Sequence, residues 1–277
     1  MPKEILINAD DFGISNGVNR AIIEGNKNGI INSASVMINL LQNSKEIEEF
    51  INTSNIKFGL HLNLTNGHCV SNPSEVNLLV NENGEFKNGF LKLLLLSLFK
   101  RKQLKKQIEI ETKSQISKTN EFKINLQHID SHRHIHMIPV IFNVVKKIAH
   151  ENSIPRIRVI NENIFYTTKY NRDFSYLFDG GLIKYLILRT FAFINNYKTN
   201  SYFFSILYTG KIFSKIVKNL KVPSNFTILE VGVHPNVGGL DELKDVCDEN
   251  IISINRIEEF KMCMDLNNLK AMNENNN

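Results

Sequence analysis

Cysteine is scarce in this chain, and the few present do not fall into pairs. Cys69, Cys247 and Cys263 are odd in number and far apart, with no CxxC or Cys/His spacing of the zinc-finger kind. That excludes a disulfide framework and a structural zinc knuckle, and a reducing cytoplasm is the expected compartment. Long hydrophobic runs are missing as well. Residues 90–99 are too few to cross a bilayer, and Lys184 and Arg189 interrupt residues 182–194. Both stretches read as buried or lid helices, with peripheral contact at a membrane surface as the lesser alternative. The opening Met-Pro-Lys-Glu turns acidic before a signal-peptide core can form, so secretion is not expected. A strong charge of one sign is also absent. With 33 basic and 28 acidic residues the formal charge is +5, a mild excess that does not point to nucleic acid. The densest basic run, Lys100, Arg101, Lys102, Lys105 and Lys106, has no interleaved aromatics and reads as a solvated helix face. No internal repeat is visible.

What the chain does have is 277 residues, 42% of them hydrophobic, enough for one large α/β domain. Residues 4–9 form an apolar run that breaks at Asp10-Asp11-Phe12-Gly13, a strand entering a loop. A helix follows, capped by Ser15 or Asn16 and closed at Asn28-Gly29. Residues 33–39 read as a strand, 44–52 as a helix and 56–65 as a third strand that carries His61. The Asn-, Gly-, Ser- and Pro-rich residues 66–90 read as a long excursion, of a length that is more often functional than idle. Residues 102–122 read as a helix and 124–131 as a strand, and Pro139 opens a helix to about Ala149. Residues 156–160 and 227–233 are two further strands. Periodicity blurs through the aromatic-rich residues 161–222, taken as a helical insertion, and residues 267–277 are too poor in apolar side chains to order. Alternating strands and helices predict a parallel sheet with polar residues gathered at strand C-terminal ends.

Ionisable residues do collect there. Asp10-Asp11 puts two carboxylates at one strand end, where one can bind a cation and the other face a reacting water, although an Asx turn would also suit them. His61, flanked by apolar residues, is by itself more often a hydrogen-bonded core residue than a ligand, and only its company points to the ligand. In His128-Ile129-Asp130-Ser131-His132-Arg133-His134-Ile135-His136 a period of two would put five polar residues on one face at metal-site spacing. The helix due at Pro139 limits how many reach one ion, and Asp130 or a neighbouring histidine can orient a ligand ring. His234, held extended by Pro235, can serve as a general acid or sit at the surface.

Taken in order, Asn8-Ala9-Asp10-Asp11-Phe12-Gly13, Gly59-Leu60-His61-Leu62-Asn63-Leu64-Thr65, Asp130-Ser131-His132-Arg133-His134-Ile135-His136 and Glu230-Val231-Gly232-Val233-His234-Pro235 resemble the motif set of the YdjC-like carbohydrate deacetylases. That family includes chitooligosaccharide deacetylases and hopanoid-biosynthesis-associated members, and residues 180–213 look more like the second group. The resemblance implies a TIM-like (β/α) barrel of seven strands over residues 1–266. It implies one divalent metal ion, magnesium or zinc, on Asp11, His61 and His132, with Asp10 as general base and His234 as general acid. Asp130, His134, His136 and Arg158 become residues that support the metal or position substrate. The implied reaction is hydrolysis of the N-acetyl group of a sugar or glycan, soluble or lipid-linked, with acetate released and a homodimer as one possible assembly. Two alternatives remain open: a metal phosphoesterase on a similar barrel, with His134, His136 and Asp130 holding a second ion, and a sugar-binding protein without catalysis. The intact Asp10-Asp11 pair argues against the last.

Overall fold

Serine side chains start the early helices. Ser15 Oγ accepts the backbone N–H of Val18 and Ser44 Oγ that of Ile47, each satisfying a donor that the first helical turn leaves over. Pro139 stands at the first position of its helix, where a missing N–H costs nothing. In the computed structural model, residues 2–171, 174–178, 180–238 and 253–276 are described, and Cys247 lies outside them. The strands are β1 (Glu4–Phe12), β2 (Ser33–Val36), β3 (Lys57–Leu62), β4 (His128–Ser131), β5 (Ser201–Phe204) and β6 (Ile228–Val233). The helices are α1 (Asn16–Lys27), α2 (Lys45–Thr53), α3 (Phe90–Phe99), α4 (Arg101–Glu121), α5 (Pro139–Glu151), α6 (Ile164–Asn171), α7 (Gly181–Asn195), α8 (Ser214–Val217), α9 (Ile254–Met264) and α10 (Leu266–Asn275).

The chain divides into two compact units. The first comprises Met1–Asp10, Ser15–Ala34 and Arg158–Asn277. In it β1 and β5 both pair in parallel with β6, Leu6 lying opposite Glu230 and Ala9 opposite Val233. Ile7, Ile22, Leu229, Val231 and Phe204 are fully buried around these strands. The second unit comprises Asp11–Ile14 and Ser35–Ile157. Its β3 and β4 pair in parallel with His61 opposite Asp130, over a core that includes Leu60, Leu62, Ile129, Ile141 and Val144.

An α/β architecture with parallel strands is therefore present, with six strands among the described residues in place of the expected seven. Of the six strands read from the sequence, the one at residues 156–160 is not formed and makes only a single parallel bridge, Ile157 to Ile129, while β5 appears where no strand was read. Residues 161–222 are not purely helical, since they contain β5. The Asn-rich end, expected to be disordered, forms α10, whose Asn268 and Met272 are buried. The apolar stretches at α3 and α7 were expected to be buried or lid helices. Each buries only part of its surface, Leu93 on α3 and Tyr185 and Leu188 on α7, and they expose Leu91, Leu95, Leu98 and Phe99 on one and Ile183, Leu186, Phe193 and Ile194 on the other. Among the described residues no helix is long and apolar enough to cross a membrane.

Candidate functional site

In each unit, residues singled out by the sequence gather into a cluster of buried ionisable side chains. In the second unit, Asp11 sits at the end of β1 with φ of 71°, a left-handed conformation that aspartate tolerates better than most residues and that tends to mark functional positions. Its Oδ1 lies 2.9 Å from His132 Nδ1 and 3.3 Å from His61 Nε2. The Asp11, His61 and His132 donor atoms all fall within 4.8 Å of one another, and all three residues are buried.

Backbone register builds this cluster. Because His61 and Asp130 are side-by-side partners in β3 and β4, the His61 Nδ1 meets Asp130 Oδ1 at 2.7 Å, which turns Nε2 toward Asp11. Ser35 Oγ donates to the other Asp130 oxygen at 2.7 Å and lies 3.0 Å from His128 Nε2. Gly59 leaves the space that the His128 ring fills, since a Cβ there would fall inside the imidazole. β4 stops at Ser131, and residues 132–137 turn into a 3-10 segment in which Arg133 and His134 take left-handed conformations. The shared period-two face over residues 128–136 is thus lost after Ser131. His136 turns back to Ser131, its Nδ1 2.6 Å from Oγ, while Arg133 is exposed and His134 buried.

Two imidazoles and one carboxylate, buried and convergent, make a donor set suited to a divalent cation. Three protein ligands leave positions open, as catalytic sites require, and a carboxylate on the far nitrogen of a ligand histidine is the usual orienting device. The residues present therefore fit the ion that the resemblance implies.

The cluster of the first unit centres on Arg158, whose side chain is fully buried. Its Nη1 and Nη2 donate to the two Asp10 oxygens at 2.8 Å each, and its Nε donates to Glu230 Oε1 at 2.6 Å. Such paired, charge-assisted bonds fix the plane of the carboxylate as well as its position. Asn8 Nδ2 adds a donor to Asp10 at 2.7 Å. His234 follows β6 with its Nε2 3.8 Å from Asp10 Oδ2, and its backbone N–H donates to Glu259 on α9. Arg158 is thus committed to two carboxylates inside the protein. Ser35 and Glu259 were not singled out in the sequence, and Glu230 stood there only as the first residue of a motif, without a role. A charged residue in an otherwise apolar strand was the signal available for Glu230, and nothing local marks Glu259 or Ser35, one of two serines in Ser33-Ala34-Ser35-Val36.

The model of the YdjC-like protein family matches residues 4–274. The chain belongs to the YdjC-like family. A carbohydrate deacetylase of Thermoanaerobacter pseudethanolicus is 34% identical over 153 residues, 55% of this YdjC-like chain and 59% of that protein. One from Clostridium beijerinckii is 35% identical over 172 residues, covering 61% and 66%, and one from Brevibacillus brevis is 28% identical over 232 residues, covering 84% and 81%. The match thus spans 59% and 66% of the first two relatives' own lengths. A crystal structure from Enterococcus faecalis V583, provisionally assigned to cellobiose-phosphate cleavage, superposes with a TM-score of 0.73 at 23% identity, covering 99% of this chain and 95% of that one. At that identity the likeness is one of fold.

Proposed function

We propose that the protein is a metal-dependent carbohydrate deacetylase that hydrolyses the N-acetyl group of an amino sugar and releases acetate. The observation that carries the proposal is the Asp11, His61 and His132 triad, with Asp130 hydrogen-bonded to the far side of His61. Membership of the YdjC-like family and relatives named carbohydrate deacetylases support it.

Amides are poor electrophiles and neutral water is a poor nucleophile, so both need help near neutral pH. A divalent cation on the triad, magnesium or zinc, supplies Lewis-acid polarisation of the acetyl oxygen and a more acidic water. Asp10 is the proposed general base. Arg158 and Asn8 hold its carboxylate in one orientation; Asn8 Nδ2 and Arg158 Nη2 both donate to Oδ1, so Oδ2, bonded by Nη1, is the oxygen left with a lone pair for the attacking water. His234 is the proposed acid that protonates the departing sugar amine, with Glu259 fixing the backbone from which its ring projects. His134 and His136 are assigned to support of the metal loop. The sugar is soluble or lipid-linked, and the protein works in the cytoplasm or at a membrane face.

Asp130 uses one oxygen on His61 and the other on Ser35, which favours one ion over the two of a phosphoesterase. The deciding experiment measures acetate and phosphate release over a panel of N-acetylated and phosphorylated sugars, with chelation and metal add-back. Chelator-sensitive acetate release is expected, together with a fall of at least a hundredfold in the Asp10→Asn variant at unchanged metal content. Phosphate release, or full activity of that variant, would overturn the reading.

A further inference from the structure

On α3, Leu91, Leu95 and Leu98 recur at the spacing of one helical face and are 70%, 51% and 67% exposed, and Phe99 beside them is 81% exposed. The opposite side of the helix buries Leu93 and Ser97, so these apolar side chains project from the surface and do not line a recess. A contiguous stripe of this kind marks a surface that meets something less polar than water.

α4 begins directly after Lys100, so the exposed apolar end of α3 runs at once into the first turns of α4. Those first turns are cationic, with Arg101, Lys102, Lys105 and Lys106 all exposed. From Phe86 to Ile108 the chain contains no aspartate or glutamate. Glu109, the next acid, is bonded by Lys113 and Lys147. A projecting apolar stripe bordered by cations with no acid among them complements a surface that is anionic at its rim and hydrocarbon beneath.

We propose that the α3–α4 junction docks on an anionic lipid surface, with the leucine face and Phe99 entering among the acyl chains and the cations of residues 100–106 resting at the phosphate level. The contact is made in the plane of the membrane, and it stands independently of the reaction proposed above.

Co-sedimentation of the full chain with vesicles of phosphatidylcholine alone, and with vesicles containing phosphatidylglycerol as well, tests the proposal. Binding to the anionic vesicles should be at least about tenfold tighter, and high salt should erase most of the difference. A Leu95→Glu/Leu98→Glu variant and a Lys102→Glu/Lys105→Glu variant should each lose that binding at an unchanged thermal unfolding midpoint. The chain has no tryptophan, so Phe99→Trp gives a single reporter whose emission should shift to the blue on anionic vesicles and stay put without them. Equal binding to both vesicle types, undiminished binding by the leucine variant, or an unshifted reporter would overturn the proposal. So would self-association abolished by the leucine variant in the absence of vesicle binding, since the face would then belong to a second copy of the chain.

Discussion

The Nδ1 of His61 lies 2.7 Å from the Oδ1 of Asp130, and this bond decides which ring nitrogen faces Asp11. A neutral imidazole offers a lone pair on one nitrogen only, so a proton held on the Asp130 side frees Nε2 to bind a cation. Asp130→Asn keeps the shape and removes the charge. Its affinity for Zn²⁺, measured by calorimetric titration into metal-stripped protein, should fall about tenfold to a hundredfold. Unchanged affinity would mean that the ring is held by something else.

Arg158 is the cation between two buried carboxylates, and its guanidinium also lies 4.5 Å from the centre of the Phe203 ring. Arg158→Ala strands both acids in the interior and should cost about 3–5 kcal/mol in urea denaturation. Arg158→Lys should recover less than half of that, because an ammonium cannot serve three donor directions in one plane. Full recovery with lysine would reduce the arginine to a charge without geometric requirement.

Glu162 links stability to pH. It is completely buried, and its Oε2 accepts the N–H groups of Ser205, Ile206 and Leu207 while the Thr167 hydroxyl donates to Oε1. Burial pushes its carboxyl up from 4.5 to about 7, with the backbone donors pulling the other way. A carboxyl raised in the folded state favours folding while protonated, so its contribution is whole below 4.5 and is lost as pH climbs through 7. At about 1.4 kcal/mol per unit, unfolding free energy should decline by about 3 kcal/mol across that window. Urea titrations at several pH values should show the decline in the wild type and a flatter profile in Glu162→Gln. Parallel profiles would sink the assignment.

Gly59→Ala puts a methyl where the His128 ring sits. The ring cannot move without leaving Ser35, so a loss of about 1–3 kcal/mol is expected in thermal denaturation, as for other overpacked interiors. A neutral substitution would show that this part of the second unit is looser than its burial suggests.

Local chemistry made much of the fold readable. Ser15, Ser44 and Pro139 mark helix starts because caps and fixed φ act within one turn. β5 was missed because Ser-Tyr-Phe-Phe is buried on both faces and so shows no alternation, and it sits in an aromatic segment that looks helical. Residues 156–160 have the composition of a strand, but a strand also needs a partner along its length, and only Ile157 finds one. α10 escaped notice because a few buried contacts, such as Asn268 to Met262 and Asn276 to Leu220, order a segment whose composition is unpromising.

By itself the sequence determined which ionisable residues stand at or just past the strand ends, Asp10, Asp11, His61, His132 and His234, and the family that their motifs resemble. Only the tertiary structure decided how those side chains and their neighbours are paired. It set the ring nitrogen that His61 presents, the commitment of Arg158 to an acid 148 positions away and another 72 positions away, and the turn that removes His136 from the face of His128. The physical reason is that such pairings owe their strength to distance, alignment and burial, which arise when remote strands come into register. A pattern confined to neighbouring residues carries none of the three.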